Sequence, residues 1–181
     1  MKIPPNAKRV FKGVIFDVYQ WDQLLFDGST STFEMLKRPN TLLVIPTTDK
    51  KIFLSQEEQP IKGQFVSLLG GRQEEGETPI QGAQRELAEE AGLASEDWEL
   101  WMQYDPLTKM EWTVFIFIAR NCKKIREQKL DPGEKITTIS VDFDTFIQKV
   151  LTDEFSGREL QNALLKLKNE NTLHTLKEKL F

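Results

Sequence analysis

The chain has 181 residues, 39% hydrophobic and 29% charged, with 24 Lys and Arg against 28 Asp and Glu for a net charge of −4. That length suits one domain with its own core, and the balance excludes a disordered or fibrous polymer. The acidic balance argues against binding nucleic-acid backbone, and the longest apolar run, 114–119, falls far short of the roughly 20 residues of a membrane-spanning helix.

No apolar segment follows the N-terminal residues as a secretory signal would, and the single cysteine, Cys122, fits a reducing, cytoplasmic setting. The first third predicts β structure. Residues 10–20 are rich in β-branched and aromatic side chains and read as one strand, with 23–26 as its extension. Asp27-Gly28 is a turn, 30–36 resumes as the second arm of a hairpin, and Arg38-Pro39-Asn40 breaks it. A buried strand follows at 41–46, a turn at 47–50, a further arm at 51–56, and a short apolar stretch at 65–69 that runs into Gly70-Gly71. From 78 to 91 the period becomes helical, with Thr78 as N-cap, Pro79 at the first helical position and Gly92 as the stop. Ile80, Ala83, Leu87 and Ala91 predict its buried stripe. Strands at 98–104, 112–119 and 135–141, a turn at 131–133 and helices at 142–151, around 160–167 and at 172–180 complete an α/β pattern, a mixed sheet with packed helices.

The 71–93 segment stands apart. Glu86, Glu89 and Glu90 are spaced i, i+3 and i, i+4, so all three carboxylates are expected on one side of the helix, opposite the apolar stripe. Arg85 can reach Glu89 at i, i+4. Clustered hard oxygens suit Mg²⁺ or Mn²⁺, and Gly70-Gly71 lets backbone approach closely enough to add a carbonyl. An isolated E-x-x-E-E is usually solvated surface; here the full spacing decides.

That spacing is Gly71-x5-Glu77-x7-Arg85-Glu86-Leu87-x-Glu89-Glu90-x-Gly92-Leu93, and it resembles the Nudix box at every fixed position. The resemblance implies the α/β/α sandwich of the Nudix hydrolases and water attack on a diphosphate linked to a nucleoside. It implies Glu86, Glu89, Glu90 and the Gly70 carbonyl as metal ligands, with Glu77 and Arg85 as an ion pair behind them. The general base is then Glu134, in a loop ahead of a strand, or Glu89. The β-rich start ending in Arg38-Pro39, and Pro106 beyond the box, are similar to the ADP-ribose and nucleotide-sugar group, although Leu69 replaces the usual proline before Gly-Gly. On that likeness, residues 1–40 form an extension that pairs two copies into a homodimer, and 41–181 form the hydrolase domain. Arg38 is then a phosphate contact, with Trp21, Phe33 or Trp112 available to stack on a base. Lys109 and Glu111 either line the substrate mouth or form a polar turn; His174 and Cys122 carry no chemistry.

The expected substrate is a small nucleoside diphosphate derivative such as ADP-ribose. Nucleoside triphosphates, and a non-catalytic binding module, are the alternatives. The segment 71–93 holds six Glu and two Arg, so the entire net charge of −4 lies in it.

Overall fold

The protein is described over residues 2–181 by a computed structural model. The 10–20 stretch expected as one strand is divided between β1 (Lys8–Lys12) and β2 (Asp17–Leu24). The break lies at Gly13, whose N–H donates to the Phe16 carbonyl at 3.1 Å; a Cβ there would sit 2.4 Å from that oxygen. Glycine allows the tight reversal. β-branched and aromatic neighbours hid it, and they leave Val14 99% exposed at the tip. The hairpin across Asp27-Gly28 is present, pairing β2 with β3 (Thr30–Lys37).

The chain continues through β4 (Thr41–Thr48), β5 (Lys51–Gln59), β6 (Gly63–Ser67), β7 (Leu69–Arg72) and α1 (Pro79–Glu90). Next come β8 (Leu93–Ala94), β9 (Asp97–Tyr104), β10 (Met110–Glu111), β11 (Val114–Arg120), β12 (Lys123–Lys124) and β13 (Lys135–Val141). Three helices close it: α2 (Phe143–Val150), α3 (Arg158–Asn169) and α4 (Leu173–Leu180). The main sheet runs β13-β5-β4-β11-β9, with β6 on β5 and β7 on β4. β4 and β11 pair in parallel at its centre. A smaller sheet, β1-β2-β3-β10, lies beside it.

Period-two alternation on the central strands builds two cores. Leu42, Val44, Phe117 and Ala119 face α1, whereas Ile45, Val114, Ile116 and Ile118 face α2, α3 and α4. The result is a three-layer α/β/α sandwich. Among the described residues, no helix is long and apolar enough to cross a membrane.

The face of α1 differs from the expected stripe. Ile80 is 38% exposed, while Gly82, Ala83, Leu87 and Glu90 are buried. Small residues bring the helix close to the sheet: a Cβ on Gly82 would lie 2.3 Å from Leu42 Cδ1. Glu90, three residues after Leu87, turns inward with it and is buried, whereas Glu86 and Glu89 stay partly exposed.

Candidate active site

Local chemistry fixes where α1 begins and ends. The Thr78 side chain accepts from the Gln81 N–H at 3.4 Å, and the Gln81 side chain accepts from the Thr78 N–H at 2.9 Å, a capping box. Gly92, at φ +66°, stops the helix in a conformation suited to glycine.

Arg85 organises the exposed side. Its Nε donates to Glu77 Oε1 at 2.7 Å, its Nη1 to Glu86 Oε1 at 2.9 Å and Glu89 Oε2 at 3.0 Å, and its Nη2 to the Arg72 carbonyl at 3.0 Å. One guanidinium thus ties three box carboxylates to the incoming loop. Its own pKa is raised, first by Glu77, and it holds Glu77 below the ordinary carboxylate range.

Glu90 is held from the other side. It is 4% exposed, and its Oε2 accepts from the Gly70 N–H at 2.7 Å. Burial pushes its pKa up to about 9, the Gly70 hydrogen bond opposes this, and Glu57, Glu86 and Glu134 add to the rise. Burial likewise raises Glu86, against Arg85 and with help from Glu89 and Glu134. Glu57, on β5, is raised by burial and by Glu134, although Ser55 donates to it at 2.6 Å. Glu134 thus adds to the rise of Glu57, Glu86 and Glu90 alike. Glu57 was missed from the sequence because Gln56-Glu57-Glu58-Gln59 reads as an ordinary solvated strand end.

Gly70 and Gly71 are required where they stand. Gly70 has φ +137° and a Cβ there would lie 2.0 Å from the Leu42 carbonyl; a Cβ on Gly71 would lie 2.6 Å from Glu86 Oε1. The Glu86 carboxylate therefore rests directly on the loop backbone. Among the described residues, no three acidic or imidazole side chains stand as a ready chelate. Glu86 and Glu89 are turned to Arg85.

Beyond the box loop lies a cleft of about 950 Å³ lined by Arg9, Lys12, Lys37, Arg38, Gln73, Glu74, Glu75 and Glu111, among others. Arg38 sits 5.7 Å from the Phe16 ring centroid and 4.6 Å from that of Trp112. Among the described residues it makes no ion pair; its hydrogen bond is to the Pro39 carbonyl at 3.3 Å. Burial and the nearby Arg72 lower its pKa. Trp112 is fixed by donating to Thr41 Oγ1 at 3.0 Å. Trp21 and Phe33 pack on each other at 5.1 Å, away from the lining of this cleft. Lys109 lies over Phe33, and Glu111 pairs with Lys37 at 2.9 Å and faces the cleft. His174 is exposed on α4, and Cys122 is buried with its thiol pushed up to about 11.

The family model for the NUDIX domain matches residues 36–160. The chain belongs to the Nudix family. The helix with its ion-paired carboxylates is thus the box of a Nudix hydrolase. Among relatives, an ADP-ribose pyrophosphatase of Bacillus subtilis (strain 168) is 26% identical over 174 residues, 94% of each chain. A methanol dehydrogenase activator of Bacillus methanolicus is 28% identical over 150 residues, 80% of each. A crystal structure of an ADP compounds hydrolase superposes with TM-score 0.71 at 18% identity, covering 93% of this chain and 95% of the other. The shared Nudix fold sets the three-layer frame that carries box, loop and cleft.

Proposed function

We propose that the protein hydrolyses the diphosphate linkage of ADP-ribose or a related nucleoside diphosphate sugar, with Mg²⁺ or Mn²⁺, releasing a nucleoside monophosphate and a sugar phosphate. The observation that carries this reading is that the Glu86 and Glu90 carboxylates, both raised by burial, meet the backbone at Gly70-Gly71, where only glycine fits. Crowded hard oxygens of one sign call for a divalent cation. Glu86, Glu89, Glu90 and the Gly70 carbonyl would hold it, and a bound cation supplies Lewis acidity to the phosphate oxygens and acidifies the attacking water. The likeness to an ADP-ribose pyrophosphatase over 94% of both chains supports the substrate class.

Glu134 accepts the proton of the attacking water in this reading, and Glu89 is the alternative. Glu134→Gln is expected to lower kcat by roughly 10²-fold or more, with folding intact. An unchanged rate moves the role to Glu89. Arg38, charged and without a carboxylate partner, binds a phosphate oxygen or base edge, with Trp112 stacked on it. Arg38→Ala should raise KM about ten-fold while kcat stays within a few-fold, the loss of one charge-assisted hydrogen bond. A KM at the wild-type value would remove Arg38 from substrate binding.

Residues 1–40 act as an extension joining two copies, ahead of a 41–181 hydrolase domain. Val10, Phe11, Val14, Leu24 and Phe26 are each more than half exposed there, a cover-seeking apolar set. The buried, unreactive Cys122 accords with a cytoplasmic setting. Steady-state kinetics over a substrate panel test the assignment. ADP-ribose should show the highest kcat/KM; a preference for triphosphates, with pyrophosphate released, would replace it with the nucleoside triphosphate reading.

A further inference from the structure

The four last carbonyls of a helix lack partners within it, and the last turn of α1 carries no basic side chain to meet them. The segment after β12 takes up that task. The Arg126 Nε donates to the Ala88 carbonyl at 2.9 Å, and the Lys129 N–H to the Glu89 carbonyl at 2.8 Å. The Ile125 N–H donates to the Gly92 carbonyl at 2.8 Å. The Gln128 side-chain amide donates to the Glu90 carbonyl and also to Thr138 Oγ1, at 3.2 Å. Thr138 Oγ1 itself reaches the Glu90 carbonyl at 3.4 Å.

Gln128 and Thr138 thus meet at a single backbone oxygen, that of Glu90. The chain between them leaves this point, turns through Asp131 and Glu134, and returns along β13. The turn is closed locally: the Glu134 N–H donates to the Asp131 carbonyl at 2.9 Å, and the Asp131 N–H to Glu134 Oε2 at 3.1 Å. A loop with both ends pinned at one place is a compact unit whose tip is positioned by its base.

We infer that Gln128 is a positioning residue for hydrolysis: by clamping both ends of the 128–138 loop to the Glu90 carbonyl, it sets where Glu134 stands relative to the box carboxylates. This rests on the proposed role of Glu134 as proton acceptor. The amide suits the task, since one NH₂ group offers two hydrogens to two oxygens. Releasing it leaves the box helix capped by Arg126 and Lys129 but loosens the loop beyond Lys129. A displacement on the order of 1 Å at a reacting group is enough to slow a reaction severely.

The test is a double-mutant cycle on the full-length protein with ADP-ribose and Mg²⁺, accompanied by amide hydrogen exchange. Gln128→Ala should lower kcat roughly ten-fold with KM within two-fold, the scale of losing a supporting partner. Exchange through the 130–134 tip should quicken, whereas exchange at Lys129 and within α1 should not. Thr138→Val should act in the same direction, and Thr138→Ser should restore the wild-type rate. In a Glu134→Gln background, Gln128→Ala should cost nothing further. An equal loss in both backgrounds, or a freed loop with unchanged kcat, overturns the positioning role. Full activity of Glu134→Gln alone overturns the assignment of the base, and does so independently of the exchange result.

Discussion

Glu90→Gln is expected to reduce kcat for ADP-ribose by about 10³-fold or more, because a ligand that secures Lewis-acid catalysis supports several kcal/mol of barrier lowering. The same change should stabilise the metal-free protein at neutral and alkaline pH. Glu90 is 4% exposed and its pKa stands near 9 against an ordinary 4.5, so the folded state prefers it protonated. The stability it allows is fully present below about pH 4.5 and is lost as pH rises through about 9. Thermal melting in chelator should therefore show the wild type losing stability across that window and Glu90→Gln losing less. Added Mg²⁺ should raise the melting temperature of the wild type more than that of the variant. A variant with near-wild-type kcat, or with the same pH slope, would remove Glu90 from the metal centre.

Arg85→Ala is the second large effect, and it acts on fold and activity together. The guanidinium bonds Glu77, Glu86 and Glu89 and the Arg72 carbonyl, and both Arg85 and Glu86 are largely covered, at 23% and 13% side-chain exposure. Removing it leaves like charges facing each other and two partly covered carboxylates without their donor. A loss of about 1–3 kcal/mol in unfolding free energy is expected in chelator, with kcat down by roughly 10- to 100-fold in Mg²⁺. Arg85→Lys should recover part of the stability and little of the rate, since an ammonium cannot reproduce the forked set of bonds. Denaturant titration and steady-state kinetics measure both. Equal recovery of rate and stability by lysine would mean that charge alone matters there.

The box was legible because its signals are local. Thr78, Pro79 and Gly92 mark the ends of α1 through capping chemistry that needs no tertiary context, and the observed helix is Pro79–Glu90. The continuous apolar runs in 41–46 and 112–119 likewise exposed the central strands, since a strand packed on both faces is apolar throughout. The features that stayed hidden depend on distant partners. A single glycine at 13, between residues of high β propensity, gave no sign that β1 and β2 reverse there. The inward turn of Glu90 follows from how closely Gly82 and Ala83 let α1 approach Leu42, a packing outcome that a stripe of larger residues concealed. Glu57 comes near the Glu134 loop because β5 pairs with β13, with Glu58 opposite Lys135, next to Glu134. Gln128 is unremarkable in sequence, because its acceptor lies 38 positions away.

On the proposed reading the acidic box is the metal centre of a diphosphate hydrolase. Incubation of the purified protein with ADP-ribose, with Mg²⁺ or with chelator, followed by chromatographic separation of the products, tests it most directly. AMP and ribose 5-phosphate in equal amounts with Mg²⁺, and neither in chelator, is the predicted result. Intact ADP-ribose in both samples, or the same products at the same rate in chelator, would contradict it.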